Sequence, residues 1–449
     1  MIFLFNILLL ILIDGIYCFY PETRIGHNSV LINNKIFYFA GNSHEVFYLD
    51  LLNSLNTSYA KWVSVADSSI NIKYSTSVVN INDSTVFLIG GLMKNPFTGD
   101  DDYSHFVYNF DAKKLKWETP QIKGDLPYGR KKMQAVIDNS GLIYIFGGNK
   151  ILNSSIDNVE MWYNDMNILN VINMTWITLN ISLNLPPKRS DYSATLLSNG
   201  FIVYIGGRND PGQPAITMNE LYLFDTNNLT WSSMITQGAQ IDIRAYHSDV
   251  LTSEGHIIIY GGCYGDSHLQ VVPNTVILNT QVTPYEWLIP NISSKNSPPS
   301  LRGHTADLYK NFMIISFGEI TNANSSPTNM NKNIYLLDVQ TFTWSILKNN
   351  NISNVDFYNQ NDLCLLQKKI PIETKITRKT PPTPTPNPIA KADLLVTVFT
   401  VVTVGTVVTV VQVGTLILVV VTIGGVVVLV ETHEELLTSK RNISVFRSE

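Results

Sequence analysis

The chain has few cysteines, few charged residues and no cluster of basic residues. Three cysteines occur in 449 residues, and charged residues make up only 15% of the chain. A small fold held together by disulfides is excluded, because such scaffolds use many more cysteines for their size. The net charge of -5, without a run of Lys and Arg in the body of the chain, also argues against a nucleic-acid partner.

The cysteines leave the redox state open. Cys18 lies in a predicted leader, so the mature chain would keep Cys263 and Cys364. In an oxidising compartment these two residues could form a disulfide, and two unpaired thiols agree equally well with the sequence. The fold must therefore depend on a hydrophobic core.

The first 18 residues are typical of a signal peptide. The segment Ile2–Ile13 is apolar apart from Asn6, and a run of about a dozen apolar residues is too short to span a bilayer. A basic segment before this run is missing, and a buried first strand or an uncleaved anchor is the alternative. We predict a cleaved leader over residues 1–18.

The other end of the chain contains a long uncharged run. No charged residue occurs from Leu394 to Val430, and most residues there are Val, Thr, Leu, Ile and Gly. A membrane-spanning helix needs about 20 apolar residues, so we predict a transmembrane helix within 394–430. The Thr- and Val-rich first half has a high strand propensity, which is unusual for such a helix. A buried strand pair is the alternative, although it would require alternating polarity.

These two ends predict a single-pass type I membrane protein. A domain over residues 19–350 would lie outside the cell or in a lumen, and residues 431–449 would form a cytoplasmic tail. Residues 351–393 are rich in Pro, Thr and Lys and are typical of an extended stalk. Cationic residues occur on both sides of the uncharged run, so the leader would set the orientation.

The body of the chain is an internal repeat with six units. Each unit has an apolar run that ends in glycine, and four units carry a glycine pair: Gly90 and Gly91, Gly147 and Gly148, Gly206 and Gly207, Gly261 and Gly262. Each unit also has a tryptophan: Trp62, Trp117, Trp176, Trp231, Trp287 and Trp344. The tryptophans are 55, 59, 55, 56 and 57 residues apart. A period near 50 residues with several short strands predicts the blades of a β-propeller.

The residues of one repeat explain how a blade would form. The run Ile202–Ile205 is apolar at consecutive positions, which is typical of a strand buried on both faces. The motifs "FDAKKLKW", "FDTNNLTW" and "LDVQTFTW" place an Asp at a fixed distance before the Trp. An Asp at the start of a turn can accept hydrogen bonds from the backbone that follows. We expect each tryptophan to be buried between adjacent blades.

The glycine pair, the strands "LYLF" and "IYLL" and the spaced tryptophans resemble the kelch repeat over about residues 22–350. The resemblance implies an all-β propeller of six four-stranded blades. The first and last repeats depart from it, with Gly41–Asn42 and Gly318–Glu319 in place of the pair, and the first and third repeats carry insertions before their tryptophans.

The resemblance also implies candidate binding residues near the central channel. An arginine recurs at the start of repeats, and with two tyrosines it would line a pocket on the loop face: Arg24, Arg130, Arg189, Arg244, Arg302, Tyr192 and Tyr246. Arginine suits an interface because its planar group binds carboxylates and stacks on aromatic rings. The alternative is that residues recurring in every repeat stabilise the blades. The histidines that follow at similar offsets, His27, His247 and His304, favour the same structural interpretation over a metal cluster.

One enzyme has to be weighed against a binding module. Galactose oxidase is a copper enzyme whose propeller consists of kelch units, and its chemistry would need Cys263, Tyr264, His268, Tyr246 and His247 to converge. The extra domain that supplies a copper ligand in that family is replaced here by the stalk and the uncharged run. We therefore predict no cofactor, and a membrane-anchored module that binds a protein or a glycan through its loops.

Sequons for N-linked glycosylation are numerous. They occur at Asn56, Asn82, Asn153, Asn173, Asn180, Asn228, Asn291, Asn324 and Asn351. In a lumenal domain these are acceptor candidates. Asparagine is abundant in the chain, so chance alone would produce several of them.

Overall fold

The computed structural model describes residues 19–41, 43, 45–67, 70–80, 82, 84–94, 101–103, 106–153, 158–265, 267–324 and 329–348, and five strand segments between 396 and 447. One compact unit comprises Phe19–Asn350, and the C-terminal strands belong to a second unit. Each unit is described by itself. The predicted leader over 1–18 and the predicted stalk over 351–393, with Cys364, lie outside the described residues.

The first unit contains six blades, each with four antiparallel strands from one continuous stretch of chain, and two of these sheets have a short fifth strand that pairs in parallel. Strands are numbered in chain order. Blade 1 contains β1 (His27–Ile32), β2 (Lys35–Ala40), β3 (Glu45–Asp50) and β4 (Trp62–Asp67), with the helix α1 (Leu51–Thr57) before β4. Blade 2 contains β6 (Thr76–Asn80), β7 (Thr85–Ile89), β10 (Val107–Asp111) and β11 (Lys116–Glu118). Blade 3 contains β13 (Ala135–Ile137), β14 (Leu142–Phe146), β17 (Met166–Asn170) and β18 (Thr175–Leu179).

The second half of the ring repeats this arrangement. Blade 4 contains β19 (Ser193–Leu196), β20 (Phe201–Ile205), β21 (Glu220–Asp225) and β22 (Thr230–Ile235). Blade 5 contains β24 (Ser248–Leu251), β25 (His256–Tyr260), β26 (Thr275–Asn279) and β27 (Glu286–Leu288). Blade 6 contains β29 (Thr305–Tyr309), β30 (Phe312–Ser316), β32 (Ile334–Asp338) and β33 (Thr343–Leu347).

Short additional strands lie between or beside the blades. They are β5 (Ile72–Lys73), β8 (Leu92–Lys94), β9 (Asp101–Asp102), β12 (Lys123–Gly124), β15 (Asn149–Asn153), β16 (Asn158–Trp162), β23 (Gln237–Gly238), β28 (Leu301–Arg302) and β31 (Glu319–Ile320). The helix α1 and the β15–β16 hairpin account for the insertions in the first and third repeats.

The first strand of each blade lies innermost and contacts the first strands of both neighbouring blades. These contacts run from β1 through β6, β13, β19, β24 and β29 and return to β1. The ring is therefore closed, and the prediction of a six-bladed propeller is confirmed. In each blade the second strand is the most deeply buried, because it packs against a neighbouring blade on both faces; Ile202–Ile205 is an example.

The tryptophans lie on the fourth strands and pack against the preceding blade. Five of them contact an aromatic ring there, with ring centres 4.8–5.8 Å apart: Trp117 with Phe39, Trp176 with Phe106, Trp231 with Phe146, Trp344 with Tyr260, and Trp62 with Phe317. The indole nitrogen of Trp287 donates to the carbonyl of Met218 in blade 4. The contact between Trp62 and Phe317 joins the first blade to the last.

The two ends of the propeller differ in their connections. Because His27 pairs with Ala40, the start of β1 and the end of β2 lie at the same end of the sheet. This end, the loop face, carries the connectors into the innermost strands and the loops that follow the glycines. The opposite end, the turn face, carries short turns. There the carboxylates of Asp111, Asp225 and Asp338 accept hydrogen bonds from the backbone two and three residues later, as predicted.

The C-terminal unit is an antiparallel meander of five strands. It contains β34 (Val396–Thr403), β35 (Thr406–Val413), β36 (Leu416–Ile423), β37 (Val426–His433) and β38 (Ile443–Arg447). The described residues of the predicted helix over 394–430 and of the predicted tail over 431–449 therefore lie in strands. Val and Thr branch at Cβ, which disfavours helix and favours a pleated sheet. Among the described residues, no helix is both long and apolar enough to cross a bilayer.

Candidate functional site at the mouth of the channel

The connectors into the six innermost strands share one backbone conformation. In each connector a residue with positive φ lies one to three positions before the innermost strand: Gly26 (66°), Tyr74 (58°), Lys132 (62°), Asp191 (57°), Tyr246 (58°) and Gly303 (59°). Each amide from Tyr74 to Gly303 donates to the carbonyl of the equivalent residue in the preceding blade, at 2.8–2.9 Å. These six residues surround the mouth of the central channel, and we call them the mouth ring.

Four members of the mouth ring are not glycine, although the left-handed conformation costs an ordinary residue about 1–2 kcal/mol. Their side chains are a phenol, an amine, a carboxylate and a second phenol. A ring that repeats its backbone and varies its side chains is the arrangement expected of a recognition surface on a rigid scaffold.

The predicted binding arginines lie two residues before the mouth ring. Arg24, Arg130, Arg189 and Arg244 are at most 1% exposed, so they do not line an open pocket. Their backbone carbonyls accept hydrogen bonds from the glycine that ends the second strand of the preceding blade, such as Gly148 to Arg189 at 2.8 Å. This burial favours the alternative that these residues stabilise the blades.

Three of these arginines make the same two side-chain hydrogen bonds. Nε donates to the carbonyl two residues earlier, and Nη1 donates to the carbonyl of the first glycine position of the same blade. Arg130 also forms an ion pair with Asp165. The guanidinium of Arg189 instead lies 4.8 Å from the ring centre of Tyr222, and burial lowers its pKa to about 10.

Arg302 is not equivalent to the other four arginines. The glycine of blade 5 donates to Leu301, so Leu301 occupies the arginine position of blade 6, and Ile72 occupies it in blade 2. Arg302 follows one residue later and forms an ion pair with Glu319 at 2.9 Å. It also lies 5.6 Å from the ring centre of Tyr246. Sequence alignment by the arginine alone was therefore wrong by one residue in this repeat.

The glycine pairs show a similar shift in the first and last repeats. Gly41 and Gly318 occupy the second position of the pair, while Ala40 (φ 65°) and Phe317 (φ 58°) occupy the first. In the four blades that have glycine at the first position, there is almost no room for a side chain: a Cβ on Gly206 would lie 2.5 Å from the carbonyl oxygen of Arg244 in the next blade. The glycines therefore permit close contact between blades.

The two predicted tyrosines lie in different places. Tyr192 is 5% exposed, and its hydroxyl donates to the carbonyl of Phe146 in blade 3. Burial raises the pKa of Tyr192. Tyr246 belongs to the mouth ring, where its hydroxyl lies 2.7 Å from the amine of Lys132.

Charged side chains gather around Tyr246. The amine of Lys132 and the guanidinium groups of Arg208 and Arg302 lie 5.0, 5.5 and 5.6 Å from the centre of its ring. Asp191 accepts from Nε of Arg208 at 2.8 Å and lies 3.8 Å from the amine of Lys132. Cations within about 6 Å of an aromatic ring are attracted to it. The mouth thus combines aromatic rings with cationic groups, a combination that suits a polar or acidic ligand group.

A cavity of about 190 Å³ extends from the mouth into the channel. Its wall includes mostly hydroxyl and amide side chains below the mouth ring, among them Asn28, Ser29, Ser77, Gln134, Ser248 and Thr305. The wall of the channel is therefore mostly polar, and the apolar core lies between the blades.

The three recurring histidines lie just below the mouth and join neighbouring blades. Nε2 of His247 lies 3.0 Å from the hydroxyl of Ser193 in blade 4, and Nε2 of His27 lies 3.3 Å from that of Thr305 in blade 6. Burial lowers the pKa of His247 and of His304 to about 3 and that of His27 well below its usual value. All three are therefore neutral at physiological pH.

The residues considered for copper chemistry differ in their exposure and contacts. Tyr264 is 52% exposed while Cys263 is fully buried, and His268 contacts Glu319 and Arg302. Within the described part of the chain, no group of three or more His, Cys, Asp or Glu side chains is placed to hold a metal ion. The thiol of Cys263 donates to the carbonyl of Gly265 at 3.6 Å.

Seven of the nine sequon asparagines can be located. Asn56, Asn82, Asn173, Asn180, Asn228, Asn291 and Asn324 are all exposed. The side chain of Asn153 and all of Asn351 lie outside the described residues. Exposure leaves the seven asparagines accessible to glycosylation.

Sequence reasoning missed most of the mouth. Only Tyr246 and Arg302 were predicted, whereas Tyr74, Lys132, Asp191 and Arg208 were not. A usable signal was present, because Lys132, Asp191 and Tyr246 each follow an arginine by two residues. Tyr74 could not be found in this way, since Ile72 replaces the arginine of its repeat.

Comparison with known families fits this architecture. Residues 16–207 and 193–370 match the family model described as the KLHDC2/KLHL20/DRC7 Kelch-repeats domain. The chain belongs to this family. The kelch match covers the whole propeller, so the arginine, glycine and tryptophan positions are those of kelch blades.

Similar proteins share the kelch region and differ elsewhere. Acyl-CoA-binding domain-containing protein 4 of Arabidopsis thaliana is 26% identical over 253 residues, which cover 54% of this chain and 35% of that protein. Kelch domain-containing protein 3 of Rattus norvegicus is 28% identical over 258 residues, covering 53% and 64%. Rab9 effector protein with kelch motifs of Homo sapiens is 28% identical over 194 residues, covering 43% and 48%. The matches thus span 35–64% of the length of these relatives.

A solved structure shares the fold. The structure of YjhT superposes with a TM-score of 0.54 at 14% identity and covers 74% of this chain and 100% of its own. At this identity the similarity describes the kelch fold alone.

Proposed function

We propose that this kelch protein is a binding module and that its mouth ring recognises a protein. The observation that carries the proposal is the ring itself, in which Tyr74, Lys132, Asp191 and Tyr246 hold one strained backbone conformation with four different side chains. Backbone strain of this kind concentrates at functional sites. The name of one relative, Rab9 effector protein with kelch motifs, describes a protein partner for that relative and supports the same class of function here.

The charges of the mouth indicate which part of a partner it contacts. Lys132, Arg208 and Arg302 supply three cationic groups around Tyr246, and Asp191 and Glu319 balance two of them. A partner segment with an acidic or hydrogen-bond-accepting group is complementary to this surface. Aromatic and arginine side chains are also the residue types that contribute most to protein interfaces.

The test is affinity purification with the full-length chain, comparing wild type with Lys132→Glu. Lys113→Glu is the matched control, because Lys113 is exposed in a turn on the opposite face. Some partners will be retained by both the wild type and the control. We expect the recovered amount of each to be about tenfold lower with Lys132→Glu, which is equivalent to a loss of ~1.4 kcal/mol in binding free energy. A partner set that is identical for all three proteins would rule out the mouth ring as the recognition surface. A glycan array with the same three proteins tests a glycan as the alternative partner.

We also propose that the chain is attached to a membrane with its propeller on the outer or lumenal side. The uncharged run from Leu394 to Val430 and the exposure of seven sequons support this proposal. Because residues 396–433 form strands, the proposal specifies no helical span. Alkaline extraction of membranes and digestion with an N-glycosidase test it. A protein that is extracted like a peripheral protein and does not shift in size after digestion would contradict it.

A further inference from the structure

The amine of Lys132 lies over the middle of the channel mouth. It is 5.3 Å from the ring centre of Tyr74 in blade 2 and 5.0 Å from that of Tyr246 in blade 5. Blades 2 and 5 face each other across a six-bladed ring. A group that lies close to residues of both blades must therefore extend across the opening and not along its edge.

Specific contacts hold Lys132 in this position. Its amine lies 2.7 Å from the hydroxyl of Tyr246 and 3.8 Å from the carboxylate of Asp191 in blade 4. Asp191 is itself fixed, because it accepts hydrogen bonds from Arg208 and Ser190, both at 2.8 Å. The Lys132 side chain is 11% exposed, which is low for a lysine at an opening. Tyr246 is thus the main direct partner of the amine.

The cavity continues below these residues. Lys132 and Tyr246 line it at the mouth, while Ser193, Thr305 and Ala306 line it in the innermost strands of blades 4 and 6. Ala306 is three residues past Gly303 of the mouth ring, so it lies deeper along the same strand. Lys132 and Ala306 therefore line the same cavity, Lys132 at the mouth and Ala306 deeper in blade 6.

We propose that Lys132 closes the mouth of the channel and that its bond to Tyr246 must break before a ligand group can enter. The closed arrangement is a property of the chain itself, and it does not require the mouth to bind a protein. In the closed state the amine satisfies the tyrosine hydroxyl and shields the hydroxyl-lined interior. In the open state the amine is released and the interior becomes accessible from the loop face.

The release of the amine is tested with Tyr246→Phe, which removes the hydroxyl and keeps the ring. Lysine acetylation by a water-soluble reagent is followed by mass spectrometry. We expect Lys132 to react about fivefold faster in the variant, the factor given by loss of one hydrogen bond. Lys188, which is 46% exposed and pairs with Asp210, is the internal control and should react at an unchanged rate. An unchanged rate at Lys132 would overturn the proposal.

The opening of the channel is tested with a thiol introduced by Ala306→Cys, again in the full chain. The rate at which iodoacetamide modifies this thiol should rise about fivefold when Tyr246→Phe is added, since the same hydrogen bond controls both events. Tyr264→Phe is the matched control, because Tyr264 is an exposed tyrosine outside the channel mouth. Faster acetylation of Lys132 without faster modification of the thiol would overturn the proposal, since Lys132 would then stabilise the mouth without controlling access to the channel.

Unfolding of the Tyr246→Phe variant has to be separated from opening of the channel. The native thiol of Cys263 is fully buried, so it should stay unreactive as long as the propeller is folded. If Cys263 also becomes reactive in Tyr246→Phe, the decision passes to Lys132→Met, which removes the amine and keeps a long side chain. The introduced thiol should then react at least as fast as in Tyr246→Phe, and protection equal to that of wild type would overturn the proposal.

Discussion

Each connector has two positions, two residues apart, that differ in how their side chains vary around the ring. At the first position Arg24, Arg130, Arg189 and Arg244 are buried, and their backbone carbonyls contact the preceding blade. At the second position the backbone is again the same in every blade, but the side chains differ and partly reach solvent. Repeated side chains mark the contacts that every blade needs, and varied side chains on a repeated backbone mark the surface available for recognition.

The largest effect is expected from a direct comparison of Arg130 and Lys132. Arg130→Met removes a buried guanidinium from two carbonyls and from the carboxylate of Asp165, which keeps a hydrogen bond from the side-chain amide of Asn167. We expect this change to lower the free energy of unfolding by about 3–5 kcal/mol. Lys132→Met removes one hydrogen bond at the mouth and should cost about 1 kcal/mol. Urea denaturation of both variants measures this difference. Equal losses in the free energy of unfolding would contradict the distinction between the two positions.

The glycines allow a second comparison within blade 4. Gly206 and Gly212 both have positive φ, at 60° and 84°. A Cβ on Gly206 would meet the carbonyl oxygen of Arg244 at 2.5 Å, while nothing lies within 4 Å of one on Gly212. Gly206→Ala should therefore cost about 3 kcal/mol or more, and Gly212→Ala about 1 kcal/mol from backbone strain alone. Thermal unfolding followed by calorimetry would show whether the loss depends on the clash.

The last comparison concerns Asp307, a buried side chain that does not repeat. Four of the five equivalent positions are valine: Val30, Val78, Val136 and Val250. Asp307 is 9% exposed and accepts a hydrogen bond from Ser29 of blade 1. Burial raises its pKa from 3.8 to about 6. The folded state therefore favours the protonated acid, and this stabilisation is present below pH 3.8 and is lost as pH rises through 6.

Asp307→Asn keeps a neutral polar group at every pH. We expect the variant to be about 3 kcal/mol more stable than wild type at pH 7.5 and equally stable near pH 4. The measurement is urea denaturation at both pH values. Asp125→Asn is the control, because Asp125 is exposed and should show no such dependence. A variant that is less stable than wild type at pH 7.5 would mean that the ionised carboxylate contributes to the contact between blades 6 and 1.

How much could be predicted differs between the core and the mouth. The period of the tryptophans and the apolar runs before the glycines were sufficient for six blades, since each blade must bury its faces against its neighbours. The register inside a repeat was harder. Arg302 was placed in the arginine series although Leu301 holds that position, because one residue of shift is invisible until the backbone hydrogen bonds are known.

The C-terminal run shows a different kind of limit. Residues 396–433 have the composition of a membrane segment, and composition alone does not separate a long helix from successive strands. The sequence did contain a signal for strands, since Gly405, Gly414 and Gly424 divide the run into segments of about eight residues, a usual strand length. The spacing of these glycines was more informative than the hydropathy.

The number of blades, the tryptophans between them and the Asp-anchored turns could be predicted from the sequence, because they depend on apolar periodicity and local hydrogen bonds. The side chains that meet at the channel mouth could be identified only in the three-dimensional structure. Tyr74, Lys132 and Tyr246 lie far apart in the chain, and they come together because six equivalent connectors are closed into one ring.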